Sequence, residues 1–379
     1  MNHRFLLLSS LAMLLLSVSC TRSEYDPSNR INKEMTLFGE EIYVPVGQVG
    51  PVTVKSLLSS SKTIGDLVNT LLKEEYDGTF YVESDDAIYT YNAYRQALEI
   101  PDSSQPYHWD IGSQSGSVAS MASLLRMVNM GFVNQHLTLY VLNPITASLN
   151  LNTDIWVRCT NSAYVETYSK EFKMEDYNLK SSYSEIPIVK LDLPADLTDM
   201  VSRVEFNDLT LDLPAKVGDK IRTSDDAKYS FGAQYKANPA PTENFSFAQA
   251  FSLSNLNVPL GKFKLHKCVL SFDLENTLPF DVTVRSIKLM NKKGDYITDV
   301  VFSSDIKIMG GKPGAPAVTP VELQVEALEG TIPDIEGVAV DVKIAYSPSV
   351  GAVPLSSAMG LSLKSASVKL HGGITLFGK

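Results

Sequence analysis

The chain has 379 residues and a formal net charge of −10 at pH 7. An acidic balance with no run of Lys and Arg excludes the electrostatic footprint of a nucleic-acid binder and disfavours docking onto anionic lipid by charge. The length is enough for two or three domains of roughly 100 to 200 residues each.

An apolar run from Phe5 to Val18 follows Arg4, the only charged side chain before Cys20, and is interrupted only by small residues such as Ser9, Ser10 and Ala12. It is shorter than the about 20 apolar residues that a spanning helix needs, and it has the make-up of a secretory signal. The run closes on Leu16, Ser17, Val18, Ser19 and Cys20. That ending resembles the lipobox of bacterial lipoproteins, in which the cysteine thiol is diacylated and its amine is freed by cleavage and acylated. Ser17 departs from the pattern, since a leucine is usual there and here sits one place earlier. The resemblance implies a signal peptide over 1–19, lipidation at Cys20 and an outer-membrane lipoprotein facing the periplasm or the cell surface. The alternative is a signal cut by the ordinary peptidase, with Cys20 a bystander. Acyl chains contribute about 0.8 kcal/mol per buried methylene, so several together anchor a soluble body to the membrane.

Residues 20–35 are polar, with Ser23, Asp26, Pro27, Ser28 and Asn29, and read as a flexible tether. An N-terminal β-rich region is expected over 36–134. It opens with Leu37, Ile42, Val44 and Val46, broken by Pro45, Gly47 and Gly50, and resumes at Val52 and Val54, which predicts short strands. Ile64, Leu67, Val68, Leu71 and Leu72 recur on one helical face, with Thr63 as N-cap and Asp66 in capping-box position. Segments around Phe80 and Tyr89 flank Asp85 and Asp86, predicting a hairpin. A weaker helical pattern uses Met121, Leu124, Leu125 and Val128.

From about Gln135 the pattern is strand-like and shows internal similarity. Asn143 and Asn276 each precede period-two apolar residues and lie 133 apart, as do Pro187 and Pro320, and Gly218 and Gly351. Pro214 and Pro348 lie 134 apart, Asp199 and Asp334 135. The offset predicts two copies of one β-sandwich, over 135–260 and 261–379, each built of short strands punctuated by Pro, Gly, Asn and Asp. The polar stretch from Lys220 to Asn244 reads as an elaborated loop or an extra hairpin in the first copy. The expected fold class is therefore mainly β: tandem antiparallel sandwiches with a smaller N-terminal β-rich region carrying one or two short helices.

The plan of a lipobox, the opening TLFGEEIYVPVG from Thr36, a short helix, and strands carrying LPADLTDMVSRVEF from Leu193 and NTLPFDVTV from Asn276 resembles large sandwich lipoproteins of Bacteroidota. The stretch ENTLPFDVTV is also similar to the late-embryogenesis-abundant type 2 fold, a sandwich of the fibronectin type III kind. The resemblance implies a fold and an envelope location, and it brings no catalytic residue.

The chemistry-bearing residues are scattered. The five histidines, His3, His108, His136, His266 and His371, have no metal-pair spacing, and no nucleophile elbow, phosphate loop or C-x-x-C motif occurs. Asp85 with Asp86 and Asp225 with Asp226 read as turn residues, which Asp favours through its bond to nearby backbone. Cys159 and Cys268 either pair in an oxidising compartment or serve as small buried hydrophobes, and the alternation around them favours the latter. Tyr89, Tyr91, Tyr107 and Trp109 offer a glycan-binding platform, since sugars stack on rigid aromatic faces. The expectation is a non-enzymatic envelope lipoprotein without cofactor or metal, acting through an envelope protein partner or surface assembly. A surface glycan module is the alternative and a hydrolase a remote one.

Overall fold

Period-two burial sets the architecture. The computed structural model describes residues 34–37, 41–59, 65–92, 107–118, 129–143, 148–180, 185–213, 228–258, 260–263, 265–297, 300–302, 306–371 and 374–377. The signal, residues 20–33 of the expected tether with Cys20, Thr63, Ile64, the helical pattern at 121–128, Pro214, Gly218, Asp225 and Asp226 lie outside the described residues, while Glu34 and Met35, expected in the tether, open β1 instead. The elements in chain order are β1 (Glu34–Leu37), β2 (Glu41–Thr53), α1 (Val54–Ser59), α2 (Gly65–Leu71), β3 (Lys73–Glu74), β4 (Phe80–Asn92), β5 (Tyr107–Ser117), β6 (Met130–Leu142) and β7 (Leu149–Thr160). They continue with β8 (Glu166–Leu179), β9 (Glu185–Asp192), β10 (Met200–Leu213), β11 (Lys228–Pro241) and β12 (Ser246–Val258). The last are β13 (Lys267–Asn276), β14 (Phe280–Met290), β15 (Val300–Phe302), β16 (Lys307–Ile308), β17 (Ala317–Ala327), β18 (Ile335–Tyr346), β19 (Gly360–His371) and β20 (Ile374–Phe377). The fold is mainly β, as the sequence predicts.

β7 shows the cause. Leu149, Leu151, Ile155, Val157 and Cys159 are fully buried, while Asn150, Asn152, Asp154, Trp156 and Arg158 alternate with them on the other face. Burying one face of each strand is the main stabilising term, about 25 cal/mol per Å² of apolar surface removed from water.

Two sheets, ordered β5-β10-β7-β8 and β3-β4-β11-β6-β9, make the first sandwich. They meet where Phe206 of β10 packs edge-on against Phe231 of β11, ring centroids 5.3 Å apart. Two more, ordered β12-β18-β14-β16 and β15-β17-β13-β19-β2, make the second. Its core draws Val282, Ile287 and Leu289 from β14 and Val321, Leu323 and Val325 from β17. β1 and β20 form a two-stranded antiparallel sheet in a separate unit that comprises residues 1–42 and 370–379.

The strand orders correspond: β5-β10-β7-β8 matches β12-β18-β14-β16, and β4-β11-β6-β9 matches β2-β19-β13-β17. Registers correspond too. Tyr140 stands opposite Pro187 in the first sandwich and Asp273 opposite Pro320 in the second, both positions shifted by 133. Val204 opposite Val157 likewise maps onto Gly337 opposite Met290. The turns after β7 and β14 are built alike. Asn161 Oδ1 accepts from the amides of Ala163 and Val165, and Asn291 Oδ1 from those of Lys293 and Asp295.

β2 therefore holds in the second sandwich the place β4 holds in the first, and Phe80–Pro241 lies in the chain between β2 and β12. This differs from the linear boundaries expected at 134 and 260. β4 and β5 are hydrogen-bonded to β11 and β10, and β12 is hydrogen-bonded to β18. Backbone bonds join the two bodies: Phe80 N donates to Leu355 O at 2.8 Å and Leu355 N to Pro239 O at 3.1 Å.

Four local expectations change. Asp85 and Asp86 do not turn the chain but sit inside β4, opposite Gln234 and Ala233, because the flanking tyrosines and Ile88 favour extended backbone. β2 runs unbroken through Pro45 and Pro51, which a strand at the end of its sheet tolerates. Val54 opens α1 instead of extending the strand, with Thr53 Oγ1 accepting from Ser56 N at 3.2 Å as an N-cap would. The stretch 220–244 is no appendage: its residues 228–241 are β11, seated between β4 and β6.

Candidate functional site

The four aromatic residues that suggest a glycan platform fall on two strands of different sheets, Tyr89 and Tyr91 on β4, Tyr107 and Trp109 on β5. Tyr89 stands opposite Phe231 with ring centroids 6.3 Å apart, and Phe231 is fully buried, so Tyr89 packs toward the core. Positions 107 and 109 lie opposite Leu213 and Leu211. The two strands belong to different sheets but lie against each other.

His108 and Asp212 form a pair at 2.5 Å on an exposed sheet face, with Asn152 donating to the second Asp212 oxygen at 3.0 Å. Both aspartate oxygens are engaged by neighbours on adjoining strands, so the cluster ties β5, β10 and β7 together. His136 pairs with Asp192 at 2.6 Å in the same cross-strand way. Among the described residues no three His, Cys, Asp or Glu side chains converge. Cys159 and Cys268 are both buried thiols outside any disulfide, and burial pushes the Cys268 thiol up to about 11.

Among the clefts formed by the described residues, two bear on the sheets above. The first, of about 370 Å³, is lined by Asn129, Gly131, Thr198, Asp199 and Glu243 among others. Its floor is fixed from within, where Gln135 Nε2 donates to the carbonyls of Leu197 and Asp199 at 2.9 and 3.0 Å and Gln135 Oε1 accepts from Tyr235 at 2.6 Å. The second, of about 430 Å³, lies over Ala250, Ser252 and Ala339, with Lys288 and Tyr296 to one side.

The most distinctive surface is β8. It ends its sheet, and among the described residues only β7 pairs with it. Tyr168, Lys170, Phe172, Met174 and Tyr177 stand opposite Cys159, Val157, Ile155, Thr153 and Leu151, all of which are buried. Directly opposed residues share a face, so these five belong to the core side. Yet Tyr168, Phe172, Met174 and Tyr177 are only half-buried and Lys170 is exposed. The cause is a length mismatch: β8 has 14 residues, whereas β9, which ends the facing sheet, has 8. The Tyr177 hydroxyl reaches back to the Pro187 carbonyl of β9 at 3.2 Å. The remainder of β8 overhangs.

The charged face of β8 is ordered. Arg158 on β7 binds Glu166 at 2.7 Å and Glu205 of β10 at 3.1 Å, and its guanidinium lies 5.1 Å from the Trp156 ring centroid. The Arg158 bond holds the Glu166 carboxyl below its ordinary value. Within the β7–β8 turn, Tyr164 and Val165 are exposed. The overhang of β8 follows from the length of β9, a feature of another strand that the β8 sequence by itself does not carry.

These features define a mainly β, multi-sheet protein whose most distinctive surfaces are strand edges. No family model matches the chain, and no characterised protein sequence matches it. Among solved structures, a protein of Parabacteroides distasonis inferred to be secreted is similar over 88% of this chain and 100% of its own, at 14% identity and a TM-score of 0.41. The VP2 protein of infectious bursal disease virus is similar over 73% of this chain and 72% of its own, at 12% identity and a TM-score of 0.19. At these TM-scores neither likeness defines a shared fold. No described helix is long and apolar enough to cross a membrane.

Proposed function

We propose that this chain is a lipid-anchored, non-enzymatic protein of the bacterial outer membrane, held by acylated Cys20, whose sandwiches act as an interaction scaffold. The observation that carries the interaction reading is the presence of long terminal strands, β8, β12 and β2, of 14, 13 and 13 residues, each paired on one side among the described residues. A strand paired on one side presents unused amides and carbonyls, to which another strand can add. The anchoring reading is supported by the Phe5–Cys20 segment, whose length and ending fit a lipoprotein signal. Matched strand order and register support the reading that the sandwiches arose from one ancestral unit by duplication.

The test is Cys20→Ala in the full chain, followed by membrane fractionation and labelling with a fatty-acid analogue. Release into the soluble fraction with loss of label is expected. Retention of both membrane association and label in the variant would overturn the anchor.

A further inference from the structure

We propose that β8 is a dimerisation edge, pairing antiparallel with β8 of a second copy of this chain about a two-fold axis at Phe172. The proposal rests on the interaction reading above and names the partner.

The sequence of the edge selects both the partner and the register. About Phe172, Glu171 on one strand faces Lys173 on the other, and the symmetry repeats that ion pair on the far side of the axis. Lys170 faces Met174 and Phe172 faces its own copy, both on the core side that β9 leaves half covered. Shifting the axis to Glu171 would place two glutamates opposite each other, and shifting it to Lys173 would do the same with lysines. Like charges directly opposite destabilise a strand pair, so the neighbouring registers are disfavoured. Registers that pair odd with even positions would turn one copy's half-buried aromatics toward the other copy's charged face. Over residues 170–174, ahead of the register shift that brings Tyr177 to the core side, the Phe172-centred register satisfies both faces at once.

Within one copy Lys170 Nζ already lies 5.1 Å from the Phe172 ring centroid. A second Lys170–Phe172 pair brought alongside would enclose the two rings between ammonium groups and bury the overhang of Tyr168, Phe172 and Met174. The result is an eight-stranded sheet, with β5 at each outer edge and no unpaired β8 edge remaining. An isologous contact of this kind closes on itself and stops at two copies.

A cysteine at the axis is the direct test. Full-length Phe172→Cys, oxidised mildly in intact membranes, is expected to give a disulfide-linked dimer, because only a residue on the axis faces its own copy. Ser169→Cys, which faces Glu175, is expected to give little. Equal yields at both positions, or none at 172, would overturn the proposal. Reversing one charge, Glu171→Lys or Lys173→Glu, should weaken the dimer about tenfold, and the double reversal should restore it. A double variant no better than the singles would also overturn the register. Cross-linking is scored separately from membrane retention, so failure of the anchor and failure of the dimer give different results.

Discussion

Asn276 shows how much of this fold hangs on a single polar side chain. It is fully buried at the end of β13, its Nδ2 donating to the carbonyls of Phe280 and Met309 at 3.0 and 2.8 Å and its Oδ1 accepting from Leu278 N at 2.9 Å. Gly311 lies close above, where a Cβ would come within 2.1 Å of the Asn276 carbonyl oxygen, so no side chain fits. Asn143, also fully buried, occupies the corresponding end of β6 and donates to the Lys180 carbonyl at 3.3 Å. Replacing Asn276 by Ala would strand three backbone groups in a buried site. A loss of about 2 to 4 kcal/mol is expected in urea unfolding, by the cost of unsatisfied buried groups. A loss below about 0.5 kcal/mol, the range of ordinary surface changes, would show that the three bonds are dispensable. Both asparagines were visible in the sequence as the markers of a 133-residue offset. Their role was not, because the Met309 carbonyl that Asn276 holds and the Lys180 carbonyl that Asn143 holds lie 33 and 37 residues away in the chain.

At the scale of elements, strands that alternate cleanly were legible and those with small or polar core residues were not. β7 and β14 announce themselves through Leu149, Leu151, Ile155 and Val157, and through Val282, Val284, Ile287 and Leu289. β11 alternates Ala233 and Ala237 with the buried Phe231 and Tyr235, and Gly232 lies under the Tyr140 ring, so its aliphatic signal is weak although it is central in its sheet. In β4, Asp85 suggested a turn, yet it stays in the strand and accepts a hydrogen bond from the Tyr140 hydroxyl. The exposed β7–β8 pair is tied by Arg158, and that tie depends on pH. Because the folded state holds Glu166 below its ordinary value of 4.5, the bond contributes stability above that value and loses it as pH falls through the folded pKa. Glu166→Gln should therefore melt below the parent at neutral pH, with the gap closing as the pH drops below about 4.5. A gap independent of pH would mean that Glu166 acts through packing alone.

For the whole molecule, nesting has mechanical consequences. β2 precedes the first sandwich in the chain yet completes a sheet of the second beside β19. A linear sequence pattern cannot reveal such an insertion, since the offset between Asn143 and Asn276 reports the later strands of each copy and is blind to where the first strand lies. Removing residues 41–53 should expose β19 as an edge. Amide exchange is then expected to quicken in β13, β17 and β19 while β6, β10 and β11 keep their protection. Uniform exchange changes across both sandwiches would argue against separate bodies.

The same chain order puts the proposed anchor 14 residues ahead of β1 and 21 ahead of β2, so a lipid on Cys20 would tether the second sandwich through the segment that leads into its first strand. The mass of the N-terminal peptide from protein purified out of its native membrane tests this account most directly. A peptide beginning at Cys20 and carrying acyl chains on its thiol and amine is predicted. An N-terminus at another residue, or an unmodified Cys20, would contradict it.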